Sequence, residues 1–225
     1  MIECPVCHFP VADEAIVCPI CRTPLLAYGS IVAYIHGLSE PVNGAIACYG
    51  ILAYSNNKIV FTESKVIGIG YNHFQAYYIA LICFLKFFKK ISSKITVKSD
   101  NRVFIDQLTG KTSVKSPNII NYYREVEELA KNIEIAYEWI PGEENPARKY
   151  SWRAYYSYCE NNKTRVLETY GKYLITEKQL KLIKTLAKKL DEQIEVNEFT
   201  SRREASKIIK RLLKKINKIK LIRFV

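Results

Sequence analysis

Residues 94–110 read K-I-T-V-K-S-D-N-R-V-F-I-D-Q-L-T-G. Lys94 to Ser99 is a β-rich stretch that predicts a strand, and Asn101 to Leu108 fits a short helix. Asp100 stands at the junction, where its first reading is the N-cap of the helix that follows. Upstream, Ile31–His36, Ala45–Tyr54 and Lys58–Thr62 predict strands, with Ser55-Asn56-Asn57 as a turn, and Val66–Gly70 continues the last of them or adds another. Residues 74–90 carry helical spacing. Their apolar run from Phe74 to Phe88 contains Gln75 and Lys86 and is too short to span a bilayer, so it predicts a buried core helix. Downstream, Gly110, Ser116 and Pro117 mark a loop, and Tyr122, Val126, Leu129, Ala130 and Ile133 recur at helical spacing. Ile135–Ile140 predicts another strand, Pro141-Gly142 breaks it, and residues 145–160 predict a helix. Strands first, then alternation, imply an α/β chain with a mixed sheet and helices packed on it.

The 225 residues are 48% hydrophobic and 25% charged, which excludes wholesale disorder. The formal charge is +12, unevenly spread. Residues 1–29 hold Arg22 against Glu3, Asp13 and Glu14, whereas residues 170–225 hold 16 Lys and Arg against 6 Asp and Glu. A basic end on a nearly balanced body points to a polyanionic partner, nucleic acid first. The bland alternative is a solvated, charge-rich surface. Seven cysteines, an odd number, and no basic-then-apolar leader argue for a reducing compartment. A cytoplasmic location with no membrane partner is expected.

Cys4-Pro5-Val6-Cys7 and Cys18-Pro19-Ile20-Cys21 are separated by ten residues. Paired C-x-x-C turns are what a closed tetrahedral thiolate site needs, and a segment this short depends on metal for its folding free energy. One structural Zn2+ on Cys4, Cys7, Cys18 and Cys21 is the expectation, with His8 an exposed bystander. The stretch resembles the small zinc ribbons common in archaeal proteins. Residues 1–28 are expected to form this part, 30–162 the α/β domain and 172–225 a basic helical pair.

Tyr34–Pro41, Tyr78–Cys83, Val97–Asn101 with Gln107–Gly110 and Val114-Lys115, and Trp139–Asn145, taken in order, resemble the archaeal type 1 ribonucleases H. Tyr34-Ile35-His36-Gly37-Leu38-Ser39-Glu40-Pro41 is similar to the family's first-strand D-G motif. Tyr78–Cys83 is similar to the helix after its N-N-x-x-E motif. Val97–Asn101, Gln107–Gly110 and Val114-Lys115 resemble its D-S-Q, Q-x-x-G and V-K block, and Trp139–Asn145 its V-P-R-E-E-N segment. The resemblance implies a ribonuclease H-like mixed sheet with flanking helices. It also implies a site of four carboxylates around two divalent metals. Carried over by position, those carboxylates are His36, Tyr77, Asp100 and Lys149, while the two Asn become His73 and Phe74. With Asp100 the one acid retained, the expectation is a chain that is not an enzyme, with no Mg2+ in that site. Lys111, Lys115, Arg148 and Lys149 are then candidate phosphate contacts. Tyr77 reads first as core packing, and His36 equally as a satisfied strand-end histidine or a phosphate contact. Trp152, Tyr155, Tyr156 and Tyr158 at helical spacing read as packing rather than base stacking.

Thr176-Glu177-Lys178-Gln179 and Ser201-Arg202-Arg203-Glu204 are capping boxes that open two helices. The text of this tail resembles a short helical module at the ends of nucleic-acid-handling proteins. Arg202, Arg203, Lys207, Lys210, Arg211, Lys214 and Lys215 give the second helix a basic outer face. The leading expectation is a non-catalytic binder of RNA, RNA–DNA hybrid or structured RNA, with RNA favoured. A factor docked on the ribosome or another ribonucleoprotein is the second. A ribonuclease H with a relocated metal site, using His36, Asp100 and a glutamate, is the third.

Overall fold

A computed structural model of the chain describes all residues except 5–6, 13–14, 16–17, 22–29, 89–93, 132 and 223–225. Pro5, Asp13, Glu14, Arg22 and the end of the first part at residue 28 therefore lie outside the described residues. A two-stranded hairpin, β1 (Ile2–Glu3) and β2 (Pro10–Val11), carries Cys4 and Cys7 between its strands. The main sheet holds β3 (Ile31–Glu40), β4 (Ile46–Ser55), β5 (Lys58–Ile69), β6 (Lys94–Ser99) and β7 (Glu134–Trp139) in the order β5-β4-β3-β6-β7. The β3–β4 and β4–β5 pairs are antiparallel, and β3–β6 and β6–β7 are parallel. Of the two alternatives for Val66–Gly70, the stretch through Ile69 continues the Lys58–Thr62 strand, and β5 follows β4 through register shifts at Ala47/Cys48 and Ala53/Tyr54.

Strand alternation divides the sheet into two faces. Ile31, Ala33 and Ile35 of β3, with Tyr49 and Ile51 of β4, face a layer made by α1 (His73–Phe88), α2 (Arg102–Leu108) and α3 (Pro117–Ala130). Phe84, Phe88 and Phe104 are fully buried there, each contributing about 2–3 kcal/mol of hydrophobic free energy. Pro117 is not in a loop as its sequence suggested. It opens α3, where its missing N–H costs nothing. On the opposite face Leu38, Ile46 and Cys48 pack against Ala154, Tyr155 and Cys159 of α4 (Arg148–Asn161). Two glycines set how closely the layers approach. A Cβ on Gly37 would lie 2.6 Å from the Tyr77 backbone nitrogen, and one on Gly50 would lie 2.4 Å from the Ala147 carbonyl oxygen.

After α4 come α5 (Lys163–Tyr170), α6 (Glu177–Leu190) and α7 (Arg202–Ile222). Thr176 caps α6 through a reciprocal box with Gln179. Ile183 and Leu186 of α6 bury against Ala205 and Leu212 of α7. Among the described residues no helix is long and apolar enough to cross a membrane.

Candidate nucleic-acid site and sulfur cluster

The β3–β6 register sets Ile35 beside Ser99, so His36 and Asp100 meet at the carboxyl end of β6. Asp100 does not cap α2. Asn101 does, accepting the Phe104 N–H at 3.1 Å. The Asp100 carboxylate turns instead into a cleft of about 450 Å3. Its Oδ1 accepts from the Tyr77 hydroxyl (3.1 Å) and Asn145 Nδ2 (2.8 Å), and its Oδ2 accepts from Arg148 Nη1 (3.3 Å). Asn145 also donates to the Ile35 carbonyl at 3.0 Å, which locks the loop before α4 onto β3.

His36 is buried beside this carboxylate, its Nε2 3.7 Å from Asp100 Oδ2. Ser151 Oγ gives its proton to the Arg148 carbonyl at 2.9 Å, so at 2.6 Å it accepts from His36 Nδ1–H. That leaves Nε2 as an acceptor, 3.3 Å from Arg148 Nη1. Burial, reinforced by Arg148 and Lys207 and opposed by Asp100, pushes the His36 pKa down to about 3. The imidazole is therefore neutral at ordinary pH. Tyr77 is both core and site: its ring packs against Phe104 while its hydroxyl reaches Asp100. Burial first, then the Asp100 charge, raises its pKa well above the usual phenol value.

Lys149 does not reach the cleft. It is exposed and lies over the Tyr150 ring, and Arg148, one residue earlier on α4, takes the position beside Asp100. Lys111 and Lys115 are exposed in the loop after α2, away from the cleft lining. Arg202 donates to the Leu174 carbonyl, and Arg211 and Lys215 pair with Glu192. Lys210 and Lys214 lie exposed on the outer face of α7. Arg203 and Lys207 do line the cleft. Trp152, Tyr155 and Tyr156 pack on one another in the α4 layer, and Tyr158 packs against the same cluster.

Two more residues of the cleft, Glu40 and Glu204, and Trp139 beside Asp100 have roles here that the sequence did not forecast. Glu40, buried at the end of β3, accepts from Arg203 at 2.8 Å, and its Oε2 has no partner among the described residues. Glu204 is the glutamate of the S-x-x-E box. Its backbone N–H reaches Ser201 Oγ, but its carboxylate goes to Arg148 (3.3 Å) and Lys207 (3.6 Å). Half-exposed Trp139 donates to the Asp100 carbonyl at 3.2 Å, under the Arg102 guanidinium at 4.2 Å. A lone acid closing an apolar strand and a Trp before Pro-Gly were the available signals for Glu40 and Trp139.

The chain's residues 40–150 match the model of a family described as Reverse transcriptase-like. Among solved structures, the N-terminal ribonuclease H domain of a Mycobacterium tuberculosis protein, studied as a maltose-binding-protein fusion, is 24% identical with a TM-score of 0.55. That match covers 60% of this chain and 99% of the other. Ribonuclease H1 of the archaeon Halobacterium salinarum is 25% identical with a TM-score of 0.54, covering 57% and 99%. The fold is ribonuclease H-like. A compost ribonuclease H1 solved with an RNA/DNA hybrid, at 21% identity and a TM-score of 0.53, covers 57% and 98%. The matches span a bacterium, an archaeon and compost, so they do not single out the archaeal enzymes. They also overturn the expectation that the chain is not an enzyme. The matched solved proteins are ribonucleases H, and nothing in the matches shows that this chain lacks activity.

Ribonucleases H are Mg2+ proteins, and a hard cation wants several oxygen ligands. In the ribonuclease H-like site as it stands, Asp100 is the carboxylate between His36, Tyr77 and Arg148, and a guanidinium already holds its Oδ2. That arrangement does not fit the ion. The cysteines differ. Sγ atoms of Cys4, Cys7, Cys18 and Cys21 all lie within 4.8 Å of one another, with Cys4–Cys21 at 3.4 Å and Cys7–Cys18 at 3.5 Å. A tetrahedral zinc with Zn–S bonds of about 2.3 Å sets its sulfurs about 3.8 Å apart, so the group can hold a metal ion. His8 turns away to Glu3, at 2.9 Å.

Proposed function

We propose that the ribonuclease H-like domain binds nucleic acid in the Asp100 cleft, with RNA–DNA hybrid or structured RNA as ligand and RNA favoured. The observation that carries this is the convergence of Arg102, Arg148, Arg203 and Lys207 on one cleft at the carboxyl end of β6. Guanidinium groups match phosphate oxygens two at a time, and cations gathered on a backbone release its counterions. The compost ribonuclease H1 that shares this fold was solved with an RNA/DNA hybrid, which makes a hybrid the first ligand to try. Binding there needs no Mg2+, because Arg148 supplies the positive charge beside Asp100. One Zn2+ on the cysteine cluster organises the N-terminal part, 1–28. Residues 172–225 add cations to the site in the 30–162 domain rather than standing apart from it.

The test is titration of labelled hybrid, duplex RNA and duplex DNA over a range of salt. Hybrid binding should weaken steeply with salt, and Arg148→Ala should reduce both affinity and slope. Absence of binding to all three would sink the proposal. The same mixtures, assayed for strand cleavage with Mg2+ and Mn2+, test the hydrolysis to which the relatives point. Cleavage belonging to this site disappears in Asp100→Asn.

A further inference from the structure

The wall of the cleft that α7 supplies lies outside the stretch matching the family, residues 40–150. It is firmly placed. Phe199, Thr200 and Ser201, which lead into α7, are buried. The Tyr155 hydroxyl donates to the Phe199 carbonyl (2.9 Å), Tyr156 meets Thr200 Oγ1 (3.0 Å), and Ile175 N–H donates to the Thr200 carbonyl (2.7 Å). Arg203, Glu204 and Lys207 thus reach the cleft from a fixed helix start rather than from a swinging tail.

Three of the four cations that line the cleft are ion-paired there, and Arg102 lies over Trp139 instead. Arg148 spans Asp100 and Glu204, Arg203 meets Glu40, and Lys207 meets Glu204. Accessibility differs within the pairs. Side-chain exposure is 33% for Arg148, 59% for Arg203 and 66% for Lys207, against 8% for Asp100, 6% for Glu40 and 14% for Glu204. A polyanion arriving from solvent meets the cations first. The most accessible acid in its way is Glu204. A carboxylate presents two oxygens to a guanidinium with nearly the spacing of two phosphate oxygens. The N-terminal end of α7 adds the positive pole of a 21-residue helix to the same wall.

We propose that Arg148, Arg203 and Lys207 form a phosphate subsite for the nucleic-acid backbone, and that Glu204 holds the place of a phosphate on Arg148 until one arrives. This rests on the binding reading above and names the residue that competes with the ligand. Removing the competitor while keeping its shape strengthens binding. Glu204→Gln should tighten hybrid binding by about tenfold, the scale of one charge-assisted contact freed from competition. Glu198→Gln makes the same change of net charge at a surface pair with Lys163, away from the cleft lining, and should shift affinity by less than about twofold. In an Arg148→Lys background, where one nitrogen replaces the Nη1 on Asp100 and the Nη2 that faces Glu204, most of the gain from Glu204→Gln should vanish.

The experiment is fluorescence anisotropy of a labelled hybrid with the full chain and these variants, each checked by thermal unfolding. Equal effects of Glu204→Gln and Glu198→Gln would overturn the proposal, as would a gain that persists undiminished with Arg148→Lys. A wild-type chain that binds no nucleic acid fails the functional reading itself. A wild-type chain that binds, with Glu204→Gln silent, fails only the place-holder.

Discussion

At the N-terminus four sulfurs converge within 4.8 Å, and as thiolates they would repel one another unless a cation sat between them. At the Asp100 cleft the carboxylates of Asp100, Glu40 and Glu204 each already face a guanidinium or ammonium. The first site is left incomplete by its own side chains and could hold a metal ion that supplies the charge. In the second, each carboxylate is paired by the chain's own cations, through Arg148 above all. Metal dependence, stability and pH response should therefore separate the two regions cleanly.

The largest effect is expected at the sulfur cluster. The chain should carry one zinc, and Cys4→Ser with Cys7→Ser should reduce that to none. Structural zinc contributes about 10–16 kcal/mol to small thiolate modules, so residues 1–21 should lose protection from proteolysis while the sheet domain keeps its unfolding transition. Elemental analysis and limited proteolysis read this directly. Zinc retained by the double variant would remove the contrast between the two sites.

Next in size is the internal ion pair. Asp100→Asn keeps the shape but leaves Arg148 facing a neutral amide, with Tyr77 and Asn145 still donating toward it. Breaking one side of a buried pair costs about 3–5 kcal/mol, and the partial exposure of Arg148 places this one near the lower figure, at about 3 kcal/mol. Urea unfolding measures it. A loss below about 1 kcal/mol would mean that Asp100 is not the anchor of the cleft.

How far these sites were legible follows from the range of the contacts that make them. The sulfur cluster lies in C-x-x-C spacing, a local signal, and strand alternation in β3 and β6 is local too. The cleft was readable only in part. Asp100 and Asn101 are both good caps, and the choice between them is made by Tyr77, Asn145 and Arg148, far away in sequence. Lys149 and Arg148 are one residue apart, but one residue on a helix is about 100° of rotation. The short 3-10 turn at Gly142–Glu144 before α4 fixes that phase, and nothing in the charge pattern reveals it. Glu204 carried a capping-box spacing that correctly marked the start of α7, yet its carboxylate is drawn off by an arginine 56 residues earlier.

A smaller effect should appear with pH, and His36 is its source. Its ordinary pKa is near 6.5, and in the fold it is pushed down to about 3, by burial first. Below about pH 6.5 the unfolded chain takes up a proton that the folded chain refuses until about pH 3. The stability contributed by neutral His36 is thus complete above 6.5 and is lost as pH falls toward 3. The slope is at most about 1.4 kcal/mol per pH unit. Glu192, lowered by Lys215 and Arg211, and half-buried His73, lowered by burial, add their own slopes, so the readout is a difference. Unfolding free energy of the wild type minus that of His36→Asn should fall between about pH 6.5 and about pH 4. Parallel curves for the two proteins would show that His36 titrates freely in the fold.

The smallest effect is the response of hybrid binding to Mg2+. A site whose carboxylates waited for a metal, as the thiols do, would bind a phosphate backbone more tightly once the metal bridged the two. Here Arg148 already stands beside Asp100 Oδ2, 3.3 Å away, and Glu204 holds its other nitrogen at 3.3 Å. Added Mg2+ then acts mainly on the nucleic acid, where it competes with lysines and arginines as any counterion does. At matched ionic strength the affinity for hybrid should stay level or weaken, by about twofold at most. Zinc chelators are kept out of the comparison, so the sulfur cluster stays intact in both arms. A several-fold rise in affinity with Mg2+ that disappears in Asp100→Asn would mean that the guanidinium gives way to the ion. The cleft and the sulfur cluster would then both be sites that take their cation from outside, and the difference between them would be one of occupancy by Arg148 rather than of kind.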